Sequence, residues 1–145
     1  MPQPNRHRSA DVAVGYAADR TGRGIAYAAI ATGTGRAVTK IPFGALPLPA
    51  LEGRELGYAA IAAVGAHLRS AGFTRVRLRL ADEVVVDALN GHRDVPPALA
   101  MPYVKTRCVL HGFALARVER AEPIETHDLQ ARAHAEIAQR APAAA

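Results

Sequence analysis

The sequence predicts an α/β domain built on a five-stranded mixed sheet, three antiparallel strands followed by two strands parallel to the first, with helices on its faces. Two observations carry this. Early in the chain, glycine turns at Asp19–Gly24 and Gly33–Gly35 separate three apolar runs short enough for strands, as expected of a hairpin meander. Later, the run Arg75-Val-Arg-Leu-Arg-Leu80 alternates strictly between helical patterns, so it enters the sheet as a crossover-connected, parallel strand.

The elements follow in order. The runs 11–18, 25–32 and 36–43 read as the three strands, ended by Pro42, Pro47 and Pro49. Small and apolar residues then recur at helical spacing from Leu51 to Ser70, and their many alanines allow close approach to a sheet. After the turn at Ser70-Ala71-Gly72 comes the alternating strand, with Val76, Leu78 and Leu80 on one face and Arg75, Arg77 and Arg79 on the other. Asp82 and Glu83 suit the first turn of a short helix that ends at Asn90-Gly91. Pro96 and Pro97 open a helical segment to His111, which Pro102 should divide or kink. A fifth strand covers 113–120, and Thr126 is placed to cap a last helix, Asp128–Arg140. One domain therefore spans 11–140, between disordered tails at 1–10 and 141–145.

Composition narrows the function. The 145 residues are half apolar, enough for one sizeable core. No apolar run reaches the roughly 18 residues of a membrane helix, and the N-terminus has no signal-peptide core; the expected location is cytoplasmic. The lone Cys108, beside Val109 and Leu110, reads as a buried filler. A net charge of +5, almost all from arginine, fits a polyanionic partner, although abundant Ala, Arg, Gly and Pro also look like compositional bias. The six histidines lack close metal spacing, and Ser9 and Ser70 are poorly placed as nucleophiles. No metal site is expected.

The stretch Gly57–Gly91 resembles the ribonuclease H-like family, ribonuclease HI type. Tyr58, Ala60, Ile61, Gly72, Val76, the run Val84-Val85-Val86 and Leu89-Asn90-Gly91 fall in register with bacterial members, and the element order matches over nearly the whole chain. The resemblance implies Mg²⁺-dependent cleavage of the RNA strand of RNA–DNA hybrids, with two ions held by four acids. Acids are required because two dications roughly 3.5–4 Å apart need anionic oxygens to offset their repulsion.

Set on that pattern, the acids are missing. The end of the first strand offers Gly15, Tyr16 or Ala17, with Asp19 beyond in the turn; the long helix offers Gly57; the fourth strand is followed by Ala81; the last helix offers Ala131 or Ala135. Nearby acids could replace them only if displaced. Glu55 lies two residues from Gly57, about 200° around the helix; Asp82 also suits a helix start; Asp128 is recruited only if Gln130 takes an apolar position. The expectation is a catalytically degenerate member, a non-catalytic nucleic-acid-binding module for RNA–DNA hybrid or duplex backbone, with no cofactor.

Candidate contacts are Arg20, Arg23, Arg75, Arg77, Arg79, His92 and Arg93, although the three strand arginines could instead pair with acids such as Asp128 or Glu136. One alternative is an active ribonuclease using Mg²⁺ on Glu55, Asp82 and Asp128. A protein-interaction scaffold or homodimer, packing through Ala59–Ala63 or Ala131–Ala138, is the other.

Overall fold

The computed structural model describes residues 8–48 and 51–140. Strands β1 (Ser9–Ala18), β2 (Arg23–Thr32) and β3 (Gly35–Gly44) form the meander; helix α1 (Arg54–Ser70) leads to β4 (Arg75–Leu80) and α2 (Glu83–Leu89); a 3₁₀ turn (Pro97–Leu99) opens α3 (Ala100–His111), then β5 (Leu115–Arg120) and α4 (Pro123–Arg140) complete the chain. The sheet order is β3-β2-β1-β4-β5. β1 pairs antiparallel with β2 and parallel with β4, and β4 pairs parallel with β5.

Alternation sorts the two faces. Val12, Val14, Val76, Leu78 and Leu80 are buried beneath α1, with Tyr58, Ile61, Val64 and Leu68 contributed by the helix. The other face meets α4, whose Leu129 and Ala133 are buried. The Thr106 hydroxyl, fully buried, lies 3.0 Å from the Tyr58 carbonyl and 2.8 Å from that of Pro102, which satisfies it and ties α3 to α1.

Several expectations shift. Ser9 and Ala10 belong to β1 rather than to a tail; residues 1–7 and 141–145, and Pro49, lie outside the described residues. Pro42 sits inside β3, which is tolerated because β3 is an edge strand with one unpaired side. α1 starts at Arg54, behind Glu52 and Gly53 with positive φ, and β5 starts at Leu115. Pro102 neither divides nor kinks α3, because it lies in the first turn, where no intrahelical N–H bond is due.

α4 starts at Pro123, five residues before the expected Asp128. Proline suits a first helical position, and the Glu125 carboxylate accepts a hydrogen bond from the Glu122 N–H at 2.8 Å, half of a capping box. Thr126 is consequently a buried residue within the helix, not its cap. Cys108 is exposed on α3, not a core filler.

Candidate nucleic-acid interface

The end of the sheet where β1 and β4 finish, beside the start of α1, is where the resemblance places its acids. β1 there brings two residues to opposite faces. A β-carbon on Gly15 would fall 2.4 Å from the backbone nitrogen of Gln130 and 2.6 Å from the Leu129 carbonyl carbon, so α4 lies directly on the strand and no side chain fits between them. Tyr16 points the other way. Its hydroxyl is 3.1 Å from the position of a β-carbon on Gly57, which also would be 3.1 Å from Val85 Cγ2. The phenol thus occupies the space beside Gly57.

Gln130 secures this arrangement. Its side-chain amide accepts from the Tyr16 N–H at 3.0 Å and donates to the Tyr16 carbonyl at 2.5 Å, satisfying backbone groups that would otherwise need another partner. Burial, reinforced by the negative charge of Asp82, pushes the Tyr16 hydroxyl well above the ordinary tyrosine value.

The acid nearest the expected third position is already engaged. Asp82 caps α2, accepting from Val84 N–H at 3.0 Å and Val85 N–H at 3.3 Å. It also faces the guanidinium of Arg54, whose Nη1 lies 3.3 and 3.2 Å from its two oxygens. An arginine in the first turn of α1 opposes the helix dipole; the Asp82 carboxylate compensates for that placement. Arg54 also lines a cavity of about 500 Å³ with Tyr58, Val84, Arg93 and Leu99.

The remaining acids diverge. Glu55 is buried at the start of α1, lining a different cavity with Leu48 and Met101. Asp128 is exposed on α4, as are Ala131 and Ala135. Asp19 is spent on its turn, accepting from the Thr21 hydroxyl at 2.6 Å and from the N–H groups of Thr21 (2.8 Å) and Arg23 (3.1 Å). The Thr21 hydroxyl bond leads the effects that hold the Asp19 carboxyl below its usual range. Ala17 is buried and Ala81 exposed. Among the described residues no three His, Cys, Asp or Glu side chains gather as metal ligands. This donor set does not fit a two-metal centre.

The predicted basic residues fall into two groups. Arg20, on the β1–β2 turn, and Arg23, the first residue of β2, are exposed and have no ion pair among the described residues. With Arg54, they border the end of the sheet just described. His92 and Arg93 are exposed in the loop after α2. Arg75, Arg77 and Arg79 line the opposite face of β4. Arg77 Nε is 3.3 Å from Glu119 and 3.8 Å from Asp11, while Arg79 Nη1 is 2.5 Å from Glu125. These acids come from neighbouring strands and the first turn of α4, not from Asp128 or Glu136; Glu136 instead accepts from Lys40 at 2.7 Å, Arg140 and Tyr27. Sequence reasoning missed Arg54 and Gln130. The position of an arginine at a helix start was visible, but its partner 28 residues away was not.

The sheet order, with its three antiparallel strands, two parallel strands and flanking helices, decides the fold. It is the ribonuclease H fold. Ribonuclease H1 from the halophilic archaeon Halobacterium salinarum superposes with a TM-score of 0.74 at 20% identity, over 92% of this chain and 99% of that one. The N-terminal ribonuclease H domain of a Mycobacterium tuberculosis protein gives 0.72 at 18% identity, over 92% and 99%. LC11 ribonuclease H1, obtained from compost by a metagenomic approach, was solved in complex with an RNA/DNA hybrid and gives 0.59 at 14% identity, over 87% and 91%. No protein-family model and no curated protein matches the sequence. In this ribonuclease H-like fold, no helix among the described residues is long and apolar enough to cross a membrane.

Proposed function

We propose that the chain is a non-catalytic ribonuclease H-like module that binds the phosphate backbone of an RNA–DNA hybrid or a duplex in the cytoplasm. The observation that carries this reading is the Arg54–Asp82 pair: a guanidinium belonging to the chain neutralises the acid beside the place where the family resemblance expects metal-bound carboxylates. Tyr16 and Gly57 support it, because a neutral phenol fills space that a second acid would need. Replacing carboxylates with neutral groups also removes repulsion of phosphate, so lost catalysis is compatible with binding. Arg20 and Arg23, exposed on the same end of the sheet, supply positive charge there, and a structural neighbour solved in complex with an RNA/DNA hybrid has the same fold.

The test is fluorescence anisotropy with a labelled hybrid and a matched DNA duplex across about 50 to 200 mM salt. Binding should weaken steeply with salt, and the double change Arg20→Ala, Arg23→Ala should reduce the slope of log K against log salt by about 2. No binding, or binding indifferent to salt, overturns the proposal. Cleavage of the hybrid with Mg²⁺ or Mn²⁺, abolished by Glu55→Gln, would instead favour an active enzyme with displaced acids.

A further inference from the structure

The end of the sheet opposite Arg54 and Asp82 carries positive charge that the chain does not neutralise. Strand pairing aligns Arg36 of β3, Ala31 of β2, Asp11 of β1, Arg77 of β4 and Arg117 of β5 in one row, on the face that α4 crosses farther along. Arg77 and Arg117 therefore stand side by side on adjacent strands, and like charges directly opposite each other destabilise a sheet. The acids nearby relieve only Arg77 and Arg79: Arg77 Nε lies 3.8 Å from Asp11 and 3.3 Å from Glu119, which Arg79 Nε also approaches at 3.8 Å. Arg75 and Arg117 are exposed and have no ion pair among the described residues. Because all 13 Asp and Glu residues are described, no side-chain carboxylate of the chain pairs with either.

Arg75, Arg77 and Arg117 line a cavity of about 600 Å³ at the starts of β1, β4 and β5, a size typical of small-molecule sites. Ala10, Ala31 and Val76 give it an apolar lining. In the β4–β5 register Arg75 and Arg117 are one strand and two residues apart. With strands about 4.8 Å apart and a rise of about 3.3 Å per residue, their Cα atoms are separated by about 8 Å. Two arginine side chains span that gap, so both can reach one small anion placed between them. No aromatic residue lines the cavity, so it offers no surface on which bases stack.

We propose that this cavity binds a phosphate monoester, its dianionic head held between Arg75 and Arg117 and flanked by Arg77. Charge matching selects the group: one dianion neutralises two unpaired guanidiniums, whereas a carboxylate or a backbone phosphodiester brings a single charge and leaves one unmatched. Guanidinium forks also fit phosphate oxygens in bidentate fashion. A small phosphorylated molecule and the phosphorylated terminus of a nucleic acid share this head group. The site lies at the other end of the sheet from the Arg54–Asp82 pair and does not rest on the function proposed for that end.

The probes are methyl phosphate, dimethyl phosphate and sulfate, followed by ¹H–¹⁵N NMR on the intact chain. Methyl phosphate should shift the amides of Asp11, Arg75 and Arg117 and bind about fivefold more tightly than the monoanionic dimethyl phosphate. Arg75→Gln and Arg117→Gln should each weaken it by about fivefold, while Lys105→Gln, which removes one exposed charge from α3, should not change it. From about pH 7.5 to 5.5 methyl phosphate takes up a proton and should lose affinity, whereas sulfate stays dianionic and should keep it. That contrast separates protonation of the ligand from titration of Asp11 or Glu119, the carboxylates beside the arginines. Equal binding of monoester and diester, an equal loss in Lys105→Gln, unchanged binding in the arginine variants, parallel pH curves for methyl phosphate and sulfate, or no binding would each overturn the proposal. Competition by a 5′-phosphorylated but not a 5′-hydroxyl oligonucleotide would support it with a nucleic-acid terminus as the source, and competition by neither would support it with a small molecule. Equal competition by both would overturn it in favour of backbone phosphate.

Discussion

The Tyr16 hydroxyl stands 3.1 Å from where a β-carbon on Gly57 would lie, so the end of β1 and the first turns of α1 are fitted to each other across the place expected to hold two acids. A longer side chain at position 57 must displace the phenol or Val85. Gly57→Glu should therefore destabilise the fold by about 1–3 kcal/mol, the usual range for overpacking, despite a helix-propensity gain of almost 1 kcal/mol over glycine. Tyr16→Ala in the same chain should recover part of the loss. Urea denaturation of the two single variants and the double variant measures this; additive effects would mean that Tyr16 does not set the constraint.

On the other face of β1, Gly15 is pressed against α4. Its β-carbon would meet backbone atoms at 2.4–2.6 Å, and backbone cannot rotate away as a side chain can. Gly15→Ala should cost at least about 3 kcal/mol, the upper part of the overpacking range, and lower the thermal midpoint far more than Gly57→Ala does. An unchanged midpoint would show that α4 lies farther from the strand.

Much of this architecture was legible because it rests on local patterns. The alternation Arg75–Leu80 placed every buried residue of β4 on the correct face, and Asp82 was recognisable as a helix-start acid. Local signals compete at the start of α4: Glu122-Pro123-Ile124-Glu125 contains both a first-position proline and a capping glutamate, while Thr126 just beyond also has the chemistry of a cap. Cys108 looked apolar from its neighbours, but helical geometry turns it to solvent while Thr106 and Leu110 face inward. The pairings Arg54–Asp82, Gln130–Tyr16 and Arg79–Glu125 join residues 28 to 114 positions apart, and no local pattern could announce them.

Asp82 performs two tasks, capping α2 and pairing with Arg54, and its variants should separate them. Asp82→Ala removes both and should cost up to about 2 kcal/mol, since loss of a cap is typically worth about 1 kcal/mol and a partly exposed ion pair at most about the same. Asp82→Ser can retain the cap while losing the charge, so it should restore about half of the lost stability. Thermal unfolding at low and high salt provides the check: added salt should destabilise wild type more than Asp82→Ser if the pair contributes.

Alkaline stability offers a separate test of Tyr16. Its hydroxyl, and to a lesser degree that of Tyr58, is pushed above the ordinary value of 10.0, chiefly by burial, while Tyr27 is raised chiefly by its hydrogen bond to Glu136. Below pH 10 each phenol is neutral in both folded and unfolded chains and the shift has no effect. Above it, the unfolded chain ionises first and binds fewer protons, so stability must fall as pH rises. The unfolding free energy should consequently decline from about pH 10 upward, with Tyr16 making the largest contribution. Tyr16→Phe cannot ionise and should flatten that decline more than Tyr27→Phe; equal slopes in wild type and Tyr16→Phe would place the phenol in contact with water. Ultraviolet titration at 295 nm, monitored together with far-ultraviolet circular dichroism, distinguishes ionisation in the folded state from ionisation that accompanies unfolding.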